Sequence, residues 1–148
     1  MVLAERSSTS SIASGMSASA HPARLNRPYA DAMTGVLANG RFRHRRHGHT
    51  LTADDLGTDL GSRATLVQFS SAFCSPCRAT RTLLRDVCSR LDDVAYIDID
   101  AESHLDLVRE LGVVRTPTVV VLNGEGTVVR QASGMPRRDQ IDRVLAGI

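Results

Sequence analysis

The sequence predicts an α/β domain: a central mixed β-sheet flanked by helices on both faces, with a disordered tail in front of it. Three observations point there. From residue 50 onward, strand-like and helix-like apolar patterns alternate in the order β-α-β-α-β-β-α. Before residue 50 there is no such pattern, and charge and composition change at the same place. A Cys-x-x-Cys motif sits at the first strong strand-to-helix junction.

Ala64–Ser70 is short, apolar and rich in strand formers. From Pro76 to Leu91 the residues Leu83, Leu84, Val87, Cys88 and Leu91 recur at helical spacing. Pro76 suits the first helical turn, where a missing N–H costs nothing. Val94–Asp100 alternates with period two, as a strand does. Ser103–Leu111 reads as a short helix with Ser103 as N-cap and Gly112 just past its end. Thr118–Leu122 reads as a buried strand, Asn123-Gly124 as a hairpin turn, and Thr127–Gln131 as the antiparallel return. Pro136 opens a last helix with Ile141, Val144 and Leu145 on one face. A further short strand is expected near Thr50–Thr52. A βαβ half followed by a ββα half gives a mixed sheet covered on both faces.

Residues 1–50 hold seven Arg and two acids, a balance of +5, whereas residues 51–148 hold 11 Arg and 14 acids, a balance of −3. Ser7–Ala20 carries seven Ser in 14 residues and almost nothing to bury, so disorder is expected. Pro22 and Pro28 follow, then a basic run from Arg41 to His49. The reading is therefore a disordered tail over 1–49 and a folded domain over 50–148. A solvated basic arm, an organellar transit peptide or an over-extended start with Met33 as true first residue are all compatible with the tail's composition. His44, His47 and His49 lie in the basic run, where a solvated arm is favoured over a metal site.

Composition excludes several function classes. No apolar run exceeds four residues, against ~20 for a membrane span and ~7–15 for a signal-peptide core. Aromatics are 3% with no Trp, which argues against base-stacking platforms and hence specific nucleic-acid binding. Three cysteines are too few for a disulfide-stapled secreted scaffold and suit a redox or metal role.

Cys74-Ser-Pro-Cys77 carries the chemistry. It follows a strand and opens a helix, where free N–H groups and the macrodipole favour an anion. Cys74 lies next to those donors and is expected to ionise more readily than a free thiol. Cys77, one turn along, can close a disulfide with it. The pair can attack a substrate disulfide through Cys74 and be released by Cys77. Half a zinc site and two incidental thiols are the competing readings. Zinc needs four ligands. Cys88 is 11 residues past Cys77, which is ~16 Å along one helix at ~1.5 Å per residue. His104 is the only histidine after residue 50. No metal and no cofactor are expected, and Cys88 reads as a core residue on the apolar stripe.

Residues Val67–Arg78, containing Phe73, Cys74, Pro76 and Cys77, resemble the active-site segment of the thioredoxin family. Thr116-Pro117-Thr118 resembles that family's cis-proline segment, and Ser133-Gly134 the glycine that lines its substrate groove. The resemblance covers about residues 50–148. It implies a thioredoxin-like fold, Cys74 as nucleophile, Cys77 as resolving cysteine and Pro117 in cis. It places the Thr116 backbone beside Cys74, paired with an extended substrate strand. The implied activity is thiol–disulfide oxidoreduction, with disulfide-containing protein substrates and a thioredoxin-reductase-like electron donor. A thioredoxin-fold binding or scaffold module without redox turnover is the alternative. A cytoplasmic location is expected, with the organellar and tail-mediated membrane-associated readings as alternatives.

The sequence departs from the family pattern at three positions. Phe73 stands in place of the usual tryptophan and is expected to keep an apolar wall. Gln68 stands in place of a buried aspartate, and Tyr96 in place of the lysine that faces it. Gln68 cannot take a proton, so it cannot act as a base toward Cys77. Tyr96 and Asp98 are expected on one strand face, which makes Asp98 a candidate substitute.

Overall fold

The computed structural model describes residues 40–44 and 48–148. The Ser-rich stretch expected to be disordered lies outside the described residues. In chain order the elements are β1 (Arg43–His44), α1 (Ala53–Leu56), β2 (Ala64–Ser70), α2 (Ser75–Cys88), β3 (Val94–Asp100), α3 (Leu105–Glu110), β4 (Thr118–Asn123), β5 (Val128–Ser133) and α4 (Arg138–Leu145). The sheet order is β1-β5-β4-β2-β3. β2 runs parallel to β3 and antiparallel to β4, and β5 is antiparallel to both β4 and β1.

The whole of β2 is buried because it lies inside the sheet and both faces are covered. Val67 and Phe69 point to one face, where they join Ile97, Ile99, Val120 and Leu122 beneath Leu56 of α1 and Leu111 after α3. Ala64 and Leu66 point to the other, joining Val119 and Val121 beneath Leu84 and Val87 of α2 and Ile141 and Leu145 of α4. The period-two alternation of the strands thus feeds two cores.

The tail boundary differs from expectation. Arg43–His44, assigned to the tail from its charge, pairs with Gln131 and Arg130 of β5. Gly40 N–H donates to the Ser133 carbonyl at 2.6 Å, and Phe42 packs on the α2–α4 core. A two-residue strand is set by an available sheet edge and leaves no periodic signature. The strand expected near Thr50–Thr52 is only a bridge between Thr50 and Thr127. Thr52 instead caps α1 in a reciprocal box with Asp55, a helix too short to show apolar periodicity.

The β4–β5 turn is also rearranged. Asn123 Oδ1 accepts from the N–H groups of Glu125 (3.1 Å) and Thr127 (2.9 Å), and the left-handed position falls at Gly126, φ 79°. The loop is therefore longer than an Asn-Gly two-residue turn, and the register shifts between Val121 and Leu122. Ser103 does not cap α3: its hydroxyl bonds the Asp100 carboxylate at 2.5 Å, and His104 takes the N-cap position. The last helix begins at Arg138, two residues after Pro136. Among the described residues no helix is long and apolar enough to cross a membrane.

Candidate active site

β2 ends at Ser70, and a turn closed by the Cys74 N–H on the Ser71 carbonyl (3.3 Å) delivers the chain into α2. Cys74 is the N-cap residue of that helix, with extended backbone, and Pro76 occupies its first turn. Cys74 and Cys77 are joined in a disulfide, with their Cα atoms 5.2 Å apart. Cys74 Sγ also accepts the Cys77 backbone N–H at 3.2 Å. A negative charge on this sulfur would therefore face a helix N-terminus and a donated N–H, the two influences that stabilise a thiolate. Cys74 is half-buried and Cys77 is 1% exposed. An external disulfide can reach only the first of the pair.

A second loop lies against the segment that carries the disulfide. The Thr116–Pro117 peptide bond is cis. Ser71 and Thr116 share a hydroxyl–hydroxyl hydrogen bond at 3.0 Å, which ties this loop to the one before Cys74. Thr118 Oγ1 donates to the Arg115 carbonyl at 2.7 Å. The Gly134 N–H donates to the Pro117 carbonyl at 2.7 Å, from a backbone with φ 91° that favours glycine. Between this loop and the start of α2 lies a groove of about 510 Å³, lined by Pro76, Ala79, Arg115, Pro117, Gly134 and Met135 among others.

The opposite flank of the disulfide is polar. A cavity of about 410 Å³ reaches both cysteines and is lined by Arg78, Arg81, Asp98, Asp100 and Glu102 together with Ser70 and Ser71. Asp98 accepts from Ser70 Oγ at 2.7 Å and forms an ion pair with Arg81 at 2.5 Å. The hydrogen bond that Arg81 donates to Asp98, reinforced by the carboxylate charge, raises the Arg81 pKa above the usual guanidinium value. Gln68 lies behind the cysteines, fully buried. It donates to the Cys77 carbonyl at 2.9 Å and accepts from Tyr96 Oη at 3.0 Å. Burial, and after it the Asp98 charge, push the Tyr96 phenol up to about 12. Arg85 lies over the Tyr96 ring, 5.8 Å from its centroid.

Cys74, Pro76 and Cys77 share the start of α2, and Thr116, Pro117 and Gly134 line the groove beside Pro76; Phe73 departs from expectation. Phe73 forms no apolar wall: it is fully exposed, at 101%. The turn that sets Cys74 at the N-cap projects the preceding side chain into solvent, and Met135 and Pro76 supply the apolar lining instead. Cys88 is half-buried against the α2–α4 core, and desolvation raises its thiol to about 11. Among the described residues no three His, Cys, Asp or Glu side chains gather as a metal site. Sequence reading missed Ser71, Arg81 and Arg115. Arg81 was legible as the residue one turn past Cys77, and Arg115 as the neighbour of Thr116; their partners come from other strands.

The comparisons agree with this geometry. A family model described as thioredoxin matches residues 49–146. Thioredoxin from Mycolicibacterium smegmatis is 28% identical over 101 residues, covering 65% of this chain and 89% of that protein. Thioredoxin domain-containing protein 2 from Homo sapiens is 26% identical over 88 residues, which is 60% of this chain but only 16% of that longer protein. Among solved structures, a thioredoxin variant from Halobacterium salinarum superposes with a TM-score of 0.55 at 23% identity, over 64% of this chain and 80% of the other. Mitochondrial thioredoxin 3 from Saccharomyces cerevisiae, in its oxidized form, gives 0.52 at 18% identity, over 59% and 80%. Both structures speak to the fold. With a family model that matches residues 49–146, about two thirds of the chain, this chain belongs to the thioredoxin family.

Proposed function

We propose that this protein is a thiol–disulfide oxidoreductase that reduces disulfides of protein substrates through Cys74 and Cys77. The observation that carries the reading is the asymmetry of the pair: one sulfur reachable at a helix N-terminus, the other buried one turn behind it. In the dithiol form the Cys74 thiolate attacks one sulfur of the substrate disulfide. The substrate S–S bond breaks, a mixed disulfide forms, and the departing substrate thiolate takes a proton. Cys77 then loses its proton and attacks Cys74 Sγ. The mixed disulfide breaks, the second substrate thiolate leaves, and the Cys74–Cys77 disulfide remains. The second substrate thiolate takes a proton in turn, so the substrate gains two electrons from the cysteine pair and two protons, one released by Cys77 and one from solvent. A flavin- or thiol-based reductase of the thioredoxin-reductase type resupplies them, and a reducing compartment such as the cytoplasm suits that supply.

In this reading Thr116 and cis-Pro117 hold the substrate segment as an extended strand beside Cys74. Pro76 and Gly134 shape the floor of the groove. Phe73 contacts substrate from the exposed rim. The test is turnover of a disulfide-linked model peptide with dithiothreitol as electron donor. Cys74→Ser is expected to abolish turnover, and Cys77→Ser to accumulate a covalent adduct of enzyme plus one peptide half by mass spectrometry. Turnover that survives Cys74→Ser refutes the assignment. A reduction potential near ~−270 mV supports the reducing direction, and one near ~−120 mV reverses it.

A further inference from the structure

We infer that the groove selects substrates carrying an acidic residue beside the reactive cysteine, and that Arg115 is the residue that reads it. The inference rests on the oxidoreductase reading and names the substrate class of the same site.

Among the described residues, Arg115 is the only charged one lining the groove between α2 and the cis-proline loop. Other arginines of the domain are matched internally: Arg63 with Asp93, Arg81 with Asp98, Arg138 with Asp86. Among the described residues no carboxylate lies within ion-pair distance of Arg115. Its Nη2 donates to the Ser133 carbonyl at 2.9 Å, and its Nε is buried without a hydrogen-bond partner. A guanidinium has five N–H donors in a fixed fork. This one is therefore anchored at one donor, short of acceptors, and uncompensated in charge. The fork matches a carboxylate, and an anchored side chain loses little rotamer freedom when one arrives.

The surroundings give the preference a direction. Asp98, Asp100 and Glu102 lie on the other flank of the disulfide, lining the cavity that also holds Arg78 and Arg81. A substrate strand crossing Cys74 meets a mixed flank there, three carboxylates with two arginines, and an uncompensated cation on the cis-proline side. Arg115 directly precedes Thr116 in the chain. A strand paired at Thr116 advances ~3.3 Å per residue, which brings the neighbour of the substrate cysteine within reach of Arg115. An acidic neighbour is attracted there, and a basic one is repelled.

The experiment uses disulfide-linked peptides that are identical except for Glu, Gln or Lys next to the cysteine, in matched sets before and after it. The full chain reduces them with dithiothreitol as donor, and kcat/KM is read for each. At one of the two positions the order Glu, Gln, Lys is expected, with Glu over Lys by about fivefold at low salt and less as ionic strength rises. Arg115→Lys should retain part of the ratio, Arg115→Gln should flatten it, and Arg115→Glu should invert it. Should the Glu variant not fold, the Lys and Gln variants and the salt series on the wild type still decide. Equal rates for the three wild-type peptides overturn the inference, as does an unchanged ratio in Arg115→Gln. Failure to reduce any of the peptides overturns the oxidoreductase reading itself, and the selectivity with it.

Discussion

Tyr96 Oη donates a hydrogen bond to Gln68 Oε1 across 3.0 Å, and Gln68 passes the interaction on to the Cys77 carbonyl at 2.9 Å. A neutral chain thus runs from β3 through β2 to the first turn of α2. The family resemblance of the sequence implies an aspartate and a lysine at these two positions. Here the amide orients the helix that carries the cysteines without offering a proton acceptor.

Tyr96→Phe removes the donor and leaves Gln68 Oε1 buried with no partner. An orphaned buried acceptor costs about 1–3 kcal/mol. Urea denaturation of the oxidised protein should show a loss in that range. A loss too small to resolve would mean that another group takes over the acceptor.

Burial first, and then the Asp98 charge, hold the Tyr96 phenol at about 12. The folded pKa lies above the unfolded value near ~10. The folded state therefore holds this proton more tightly, and the resulting stability is present below pH ~10 and is lost as pH rises toward the folded value. Absorbance titration in a Tyr29→Phe background isolates Tyr96 and should show no phenolate at pH 10. A midpoint near ~10 would contradict the burial of this hydroxyl.

In the proposed mechanism, with Gln68 unable to accept a proton, water or a neighbouring group deprotonates Cys77 before it resolves the mixed disulfide. General-base assistance is worth ~10²–10⁴ in rate. Gln68→Asp should accelerate the resolving step near neutral pH in stopped-flow experiments. The buried carboxyl would have a raised pKa, so the variant should lose stability as pH climbs from about 4 through that value. An unchanged rate and pH profile would show that a base is already present, and Asp98 is the carboxylate of the shared cavity already paired with Arg81.

Desolvation holds the Cys88 thiol at about 11, whereas Cys74 sits at the helix N-terminus. Iodoacetamide at neutral pH should label Cys74 of the reduced protein faster than Cys88 by ~100-fold or more, because only the thiolate reacts. Peptide mapping by mass spectrometry measures the ratio. Similar rates at the two sites would remove the basis for calling Cys74 the nucleophile.

Deletion of residues 1–48 removes Phe42 from the α2–α4 core and uncovers the edge of β5. The expected loss is about 1–3 kcal/mol, the scale of one partly buried phenylalanine plus edge pairing. Phe42→Ala should reproduce most of it in thermal denaturation. No shift in either variant would show that this segment contributes nothing to the domain.

The sequence by itself determined the elements whose burial is periodic. The bounds of β3 were readable from its period-two alternation, and those of β2 from a short run of apolar strand formers. The Cys74–Cys77 pair was readable because chemistry and helix start coincide within four residues. Tertiary structure decided what depends on partners distant in the chain. Arg43–His44 becomes a strand only because β5 presents a free edge far along the chain, at Gln131 and Arg130. Phe73 is exposed because the turn into α2 aims it outward, although its apolar character suggested a wall. Arg115 acquires its role from the Ser133 carbonyl and from the absence of any carboxylate nearby among the described residues. Gln68 and Tyr96, a substitution pair on paper, become one hydrogen-bonded unit only when parallel pairing sets β3 beside β2. Local pattern specifies which face a residue takes; the partner across that face is set by sheet register and helix packing, which no short stretch of sequence encodes.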